Sequence, residues 1–433
     1  MSSPIIDKFA RLTALKPARA KAAGAAAVAP VRSATSSLPD GAAQLAEILE
    51  ARALETHHGE HLSVKKWFSE AIGHAAPDGT VDAEVMHLLS PGAHEAAGDP
   101  SQWLFLDTET TGLTGGTGTY PFMVGIAWWD AGGLEVEQFF MRDHSEEHAL
   151  LVTLAERIAE RGVLVTFNGK SFDWPLLETR YRMTRKIKVP TLTAHLDFLH
   201  PARNLWRIRL GSVRLAELEK HVLGFHRGAD IIGAMIPQFY FDYLRGGAVE
   251  PIVEIFKHNQ TDLRGLAGLA SKILSLLAEP EKHSGDPLEL FGVSRICERR
   301  GETVRARKHY AQSIERELPA EADRLARRAL ARMARRAGDV ERARELWESM
   351  VGNSREGFEA YEQLAIYHER VTGQLREAAA LVKRALAELR RSKGAGLLSA
   401  AMHRQYKERF EHRLLRLVKK SAKTLLDGIE TRS

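Results

Sequence analysis

Residues 103–113 read WLFLDTETTGL. Trp103 to Leu106 are apolar and strand-like, and the run ends on two acids one residue apart, Asp107 and Glu109. Side chains alternate across a strand, so both carboxylates face one side and Thr108 the other. Neighbouring carboxylates repel unless a positive charge lies between them, and oxygen ligands suit Mg²⁺ or Mn²⁺. Two solvated acids at a strand end would fit the same residues, so the surrounding sequence has to decide.

Downstream, FMVGIAWWD (122–130) and LEVEQFFM (134–141) read as strands joined by a turn at Ala131-Gly132-Gly133. Glu146 to Arg161 has helical spacing, and VLVTFN (163–168) is a fourth strand. A helix is predicted from Asp173 to about Arg185, with Pro175 in its first turn. TLTAHLDFL (191–199) is a fifth strand, RLAELEKHVLG (214–224) a helix ended by Gly224, and Pro251 to Leu277 a long helix. This order predicts an α/β domain at 101–280 with a mixed five-stranded sheet flanked by helices. Residues 41–53 predict a short helix inside an N-terminal extension, 41–100, that is otherwise expected to be mostly irregular.

The 433 residues suggest two or three domains, and 44% hydrophobic with 27% charged residues is a globular composition. No apolar run reaches the roughly 18–20 residues of a membrane span. A single cysteine, Cys297, excludes an intrachain disulfide and a Cys-rich zinc site. A reducing cytoplasm is the expected location. Residues 1–40, rich in Ala, Ser, Pro and basic residues, predict a disordered tail, with a superficial likeness to a transit peptide. From about 287 to 425 the chain reads as helical. GETVRARKHYAQSI, GDVERARELWESM and GQLREAAALVKRAL align on Gly301, Gly338 and Gly373, each with Ala five residues on. That spacing resembles a tetratricopeptide-like array. The net charge of +5 is concentrated in places: residues 401–423 hold eight Lys/Arg against two Glu. A capping helix with a solvated basic face is the first reading there, and a nucleic-acid contact the second.

Two more acidic stretches bear on the opening pair. FNGKSFDWPLLETR (167–180) leaves a strand, turns at Asn168-Gly169 and starts a helix at Asp173, which by itself reads as an N-cap. HNQTD (258–262) puts His258 and Asp262 four residues apart, about 40° from each other on one helical face.

Taken together, the three stretches resemble the exonuclease motifs of the DEDD (DnaQ-like) 3′→5′ exonuclease superfamily, built on the ribonuclease H-like fold. NGKSFDWPLL is similar to the proofreading motif of B-family DNA polymerases. TGLTGGTGTYPF, NGKSFD, HLDFLHPARNLW, RLAELEKHVLGFHR and HNQTD together resemble the YprB-like family over about 101–275. The resemblance implies a metal-dependent 3′→5′ exonuclease acting on single-stranded DNA or RNA. Asp107, Glu109, Asp173 and Asp262 would hold two divalent cations, Mg²⁺ or Mn²⁺, about 3.5–4 Å apart. Asp107 would bridge them, and His258 would orient or deprotonate the attacking water. His258 stands four residues before the last acid, where the superfamily places tyrosine; its histidine usually comes five before. Thr110, Gly112 and Leu113 would approach the terminal nucleotide.

Other residues carry two readings. Asn168 either touches substrate or makes the turn. RNLWRIRLGSVR (203–214) offers Arg203 and Arg207 to phosphates and Trp206 to a base, or else lays arginine stems over apolar surface. GGTGT (115–119) reads as a flexible turn. His195 and Asp197 share a strand face as support for the site or as core. Asp230 is left outside the metal set, and Trp128 and Trp129 are assigned to the sheet core. The alternative functions are a non-catalytic nucleic-acid-binding adaptor whose repeats hold a protein partner, and an endonuclease on the same fold.

Overall fold

The computed structural model describes residues 40–112, 118–228, 230–351, 357–395 and 398–430. Leu113, most of the GGTGT turn and nearly all of the Ala-rich tail lie outside them. Among the described residues, seven strands make one sheet: β1 (Arg52–Thr56), β2 (Gly59–Phe68), β3 (Trp103–Thr110), β4 (Pro121–Asp130), β5 (Gly133–Phe140), β6 (Val163–Thr166) and β7 (Ala194–Asp197). Their spatial order is β1-β2-β5-β4-β3-β6-β7. Every pair from β1 across to β3 is antiparallel, whereas β3–β6 and β6–β7 are parallel. The chain leaves β3 to one side and later returns to its other side. A crevice opens at the carboxyl end of a strand at such a switch point, where open α/β sheets take ligands.

Strands β3 to β7 are the five read from the sequence. The hairpin β1–β2 corrects the expectation of an irregular extension. Its loop, His57-His58, lacks the usual Asn-Gly or Asp-Gly signal; Thr56 Oγ1 closes it by accepting from His58 N–H at 3.1 Å and donating to the Gly59 carbonyl at 2.9 Å. β2 also hides its inward face behind polar letters. His61 is buried there, with Nε2 2.9 Å from Thr153 Oγ1.

The helices in chain order are α1 (Asp40–Leu49), α2 (Ala83–Leu89), α3 (Glu147–Arg161), α4 (Asp173–Thr184), α5 (Leu199–Leu210), α6 (Leu215–His221), α7 (Ile236–Leu244) and α8 (Glu250–Ala278). Alternation along β3 divides the core into two layers. Trp103 and Phe105 pack with Leu263 and Leu266 of α8. Leu104 and Leu106 pack with Leu150, Leu154 and Leu177 of α3 and α4. Continuing that alternation sends Asp107 and Glu109 to the α8 side and Thr108 to the α4 side.

The remainder is helical: α9 (Pro280–His283), α10 (Pro287–Arg299), α11 (Thr303–Glu315), α12 (Ala320–Arg336), α13 (Val340–Met350), α14 (Gly357–Arg370), α15 (Leu375–Gly394) and α16 (Ala400–Glu430). Gly301, Gly338 and Gly373 take φ of 83°, 82° and 69° in the turns before α11, α13 and α15. Ala306, Ala343 and Ala378 are buried at the helix contacts that follow. The basic face of α16 is largely spent within this region: Arg409 and Arg413 pair with Glu362, and Arg413 and Arg416 with Glu369. No helix among the described residues is long and apolar enough to cross a membrane.

Candidate metal centre

Asp107 is opposite Gly125 of β4, and Gly125 opposite Gln138 of β5. The glycine is required there by helix α8. A Cβ at Gly125 would lie 2.0 Å from Asn259 Oδ1 and 2.8 Å from Leu263 Cδ1. Through that gap Asn259, fully buried, donates to Asp107 Oδ2 at 2.9 Å and accepts from Gln138 Nε2 at 2.8 Å. Gln260 Nε2 donates to Gln138 Oε1 at 2.7 Å. This buried amide chain fixes α8 against β3 and sets how far Asp262 and His258 stand from the first two acids.

Asp173 arrives from the opposite layer as the first residue of α4 rather than its cap; that position falls to Phe172, which makes no side-chain capping bond. Thr108 Oγ1, facing that side, donates to Asp173 Oδ1 at 2.6 Å. The preceding loop is tightly defined. Asn168 has φ 72°, and a Cβ at Gly169 would meet Thr166 Cβ at 2.5 Å. Asp197 accepts from the N–H groups of Asn168, Lys170 and Leu199 at 2.8, 3.2 and 3.0 Å. His195 Nε2 lies 2.9 Å from Thr166 Oγ1. His195 and Asp197 thus shape the loop that delivers Asp173, and Asn168 makes its turn.

The electrostatics record how close the acids are. Burial, then the charges of Asp262, Glu109 and Asp173, hold the Asp107 carboxyl well above its ordinary range. Burial, then Asp262, Asp173 and Asp230, do the same to Glu109. Burial also raises Asp173, against the opposing bond from Thr108. Acids that disfavour one another's ionisation in this way, as at Asp107 and Glu109, are relieved by a cation set among them. One donor atom each from Glu109, His258 and Asp262 lie within 4.8 Å of one another, a spacing that could hold a metal ion.

Four residues at the site carried no expectation as functional groups. Arg227 donates to Asp262, to both oxygens of fully buried Glu219 (2.6 and 2.7 Å) and to Asp230 (2.9 Å). Asp230 Oδ1 lies 2.7 Å from His258 Nδ1, while His258 Nε2 lies 3.4 Å from Asp262 Oδ2. Asn259 is the fourth. Glu219 and Arg227 lie in the quoted RLAELEKHVLGFHR, Asp230 three residues beyond it, and Asn259 inside HNQTD, between the two residues whose helical spacing marks them.

The Arg-rich segment is corrected. Residues 199–210 form helix α5, and Trp206 is fully buried with Nε1 donating to Glu289 Oε1 of α10 at 2.8 Å. It cannot stack on a base. Arg209 extends the same junction, 3.5 Å from Asp286 and 3.6 Å from Glu289. Arg203 and Arg207 are exposed on α5. Thr110 Oγ1 donates to the Gly112 carbonyl at 2.8 Å, closing the turn after β3.

A family model described as RNase_H superfamily matches residues 104–274. The chain is 30% identical over 312 residues to YprB of Bacillus subtilis (strain 168), covering 70% of this chain and 73% of that one. Among solved structures, it is similar to the family B DNA polymerase of the hyperthermophilic archaeon Pyrobaculum calidifontis, with 17% identity and a TM-score of 0.34. That match covers 48% of this chain and spans only 29% of the polymerase. With a mixed sheet flanked by helices and a relative matched along nearly three quarters of its length, the chain belongs to the YprB-like family of ribonuclease H-fold proteins.

Proposed function

We propose that this nuclease-fold protein is a metal-dependent 3′→5′ exonuclease that hydrolyses phosphodiester bonds of single-stranded DNA or RNA. The observation that carries the reading is the convergence of carboxylates from three distant segments: Glu109 and Asp262 come with His258 within reach of one ion, and Asp107 feels the charges of Glu109, Asp173 and Asp262. The donor set, carboxylates with one imidazole, fits Mg²⁺ or Mn²⁺. Two divalent cations held by these residues would supply Lewis acidity to the attacking water and the departing 3′-oxygen.

The chain's own groups supply the rest. Asp107, whose carboxyl is acted on by all three other acids, would be the shared ligand. Thr108 and Asn259 each hold one carboxylate oxygen, at Asp173 and Asp107, and so orient the remaining oxygens. With the His258 ring anchored at Nδ1 by Asp230, Nε2 is the acceptor facing the acids. A proton taken there leaves a cation that Asp230 stabilises. The helical region is assigned, on the Gly and Ala spacing, to tetratricopeptide-like hairpins with a surface for a protein partner.

The test uses 5′-labelled single-stranded DNA and RNA 20-mers with Mg²⁺ or Mn²⁺. Shortening from the 3′ end with release of mononucleotides is expected, and none with Asp107→Ala. Cutting of a circular strand would replace the reading with an endonuclease. Retention of full activity by Asp107→Ala would remove the acids from the chemistry.

A further inference from the structure

Between the nuclease domain and the first helices of the C-terminal region lies a cleft of about 460 Å³. Its polar lining includes Lys170, Asp197, His200 and Asn204 from one side and Arg299 and Arg300 from the other. The charges in it do not cancel. The cleft's acid, Asp197, has its carboxylate committed to three backbone N–H groups. Lys170 and Arg299 are exposed, and neither has an acid partner among the described residues. Arg300 cannot swing away, because Nε and Nη2 donate to the Leu88 and Leu89 carbonyls at 3.0 and 3.3 Å. A concave space lined by uncompensated Lys and Arg recruits an anion.

The cleft's position says which anion. Lys170 precedes Asp173 by three residues, so their Cα atoms are at most about 11 Å apart. Between them in the chain Phe172 is 60% exposed, an aromatic side chain beside the acids that can stack on a base. The volume is that of a small-ligand pocket, roughly enough for one or two nucleotides and too small for a duplex.

We propose that this cleft binds the phosphodiester backbone of a single strand a short way back from the acids, with Lys170 and Arg299 each neutralising a phosphate and Phe172 stacking on a base between cleft and acids. The helical region then contributes directly to substrate binding through Arg299. The proposal rests on the nuclease reading for its direction along the strand, but its test needs no turnover.

The experiment measures fluorescence anisotropy of labelled 12-nucleotide dT and rU strands in EDTA across a salt series. Wild type, Lys170→Ala/Arg299→Ala, the charge-conserving Lys170→Arg/Arg299→Lys, and Lys66→Ala as an exposed basic control on β2 are compared. The alanine pair is expected to weaken binding at least about tenfold at low salt. Its log–log salt slope should be shallower by about 1.4, two phosphates at roughly 0.7 each. The charge-conserving pair should retain most of the affinity, and Lys66→Ala should match wild type. An alanine pair that binds as wild type does, with the same slope, overturns the proposal, as does a wild type that binds neither strand. Binding lost in the alanine pair while wild type fails to hydrolyse any strand with Mn²⁺ would sink the exonuclease reading and keep the cleft.

Discussion

The Arg227 guanidinium donates to the Asp262 carboxylate, so the acidic cluster already contains a cation that belongs to the chain. The same guanidinium holds buried Glu219 with two bonds. Arg227 therefore balances in the metal-free protein part of the charge that divalent ions would balance in the loaded one.

Removing it should separate those roles. Arg227→Ala leaves Glu219 buried without its partner, a change that costs about 3–5 kcal/mol. The thermal midpoint of the metal-free protein should fall. Mn²⁺ should then raise the midpoint by more in the variant than in wild type, because the ion replaces a charge that wild type still has. Equal Mn²⁺ increments in both proteins would show that Arg227 does not share the field of the acids.

Asp107→Asn makes the opposite change. Asp107 is held well above the carboxylate range first by burial and then by three neighbouring acids. An amide there removes the repulsion and keeps the shape. At pH 8, without metal, the variant should unfold at a higher temperature than wild type, and Mn²⁺ should stabilise it less. Metal-dependent hydrolysis should be lost. A variant less stable than wild type without metal would mean that the carboxylate contributes more through its bond from Asn259 than it costs through repulsion.

What the sequence displayed of this site, and what it hid, follows from the physics of each element. The strand–acid junction of β3 was readable because period-two alternation ends abruptly at charge. Asp262 was readable because helical spacing ties it to His258. Thr108 and Gly125 were not, since their roles depend on which strand or helix lies across from them, and pairing is non-local. Trp206 misled because an arginine-rich helix that docks on α10 has the composition of one that faces phosphates; the acids that absorb it, Asp286 and Glu289, lie some eighty residues further on. The β1–β2 hairpin was hidden by an edge position and a buried histidine.

Gly125 offers a test of the geometry without touching an ionisable group. Alanine there would overlap the Asn259 side chain and crowd Leu263. Overpacking of this kind costs about 1–3 kcal/mol. The relief available is an outward shift of α8, which carries His258, Asn259 and Asp262. Gly125→Ala should lower the thermal midpoint and reduce metal-dependent hydrolysis together. A lower midpoint with undiminished activity would show that the spacing of α8 from β3 is not what aligns the acids.

His195 sets a pH dependence. Burial, then nearby Lys170, lowers it from 6.5 to about 4. Between those values the unfolded chain binds the proton and the folded chain does not, so stability rises with pH across the window. The contribution is complete above the unfolded value and is lost as the pH falls towards 4. Going from pH 7 to pH 5 should cost about 2 kcal/mol through this group. In His195→Gln that part of the acid sensitivity should disappear in urea titrations at the two pH values. An unchanged difference would mean that the imidazole reaches water before the chain unfolds.

Asp230 lies outside the four acids read as metal ligands, and its carboxylate is 2.7 Å from His258 Nδ1. If it fixes the ring and stabilises the protonated form, Asp230→Asn should lower kcat roughly 10–100-fold, the usual effect of losing such a partner, with little change in KM. The two residues should also act as a unit. In a double-mutant cycle, Asp230→Asn should cost almost nothing once His258 is already Gln, because its role runs through the ring. Additive losses would instead assign Asp230 an independent part, such as holding Arg227, with which it also pairs at 2.9 Å. The single variant's pH–rate profile decides between these outcomes: loss of Asp230's charge makes the ring less basic and moves the acidic limb to lower pH only if His258 is the group that takes the proton.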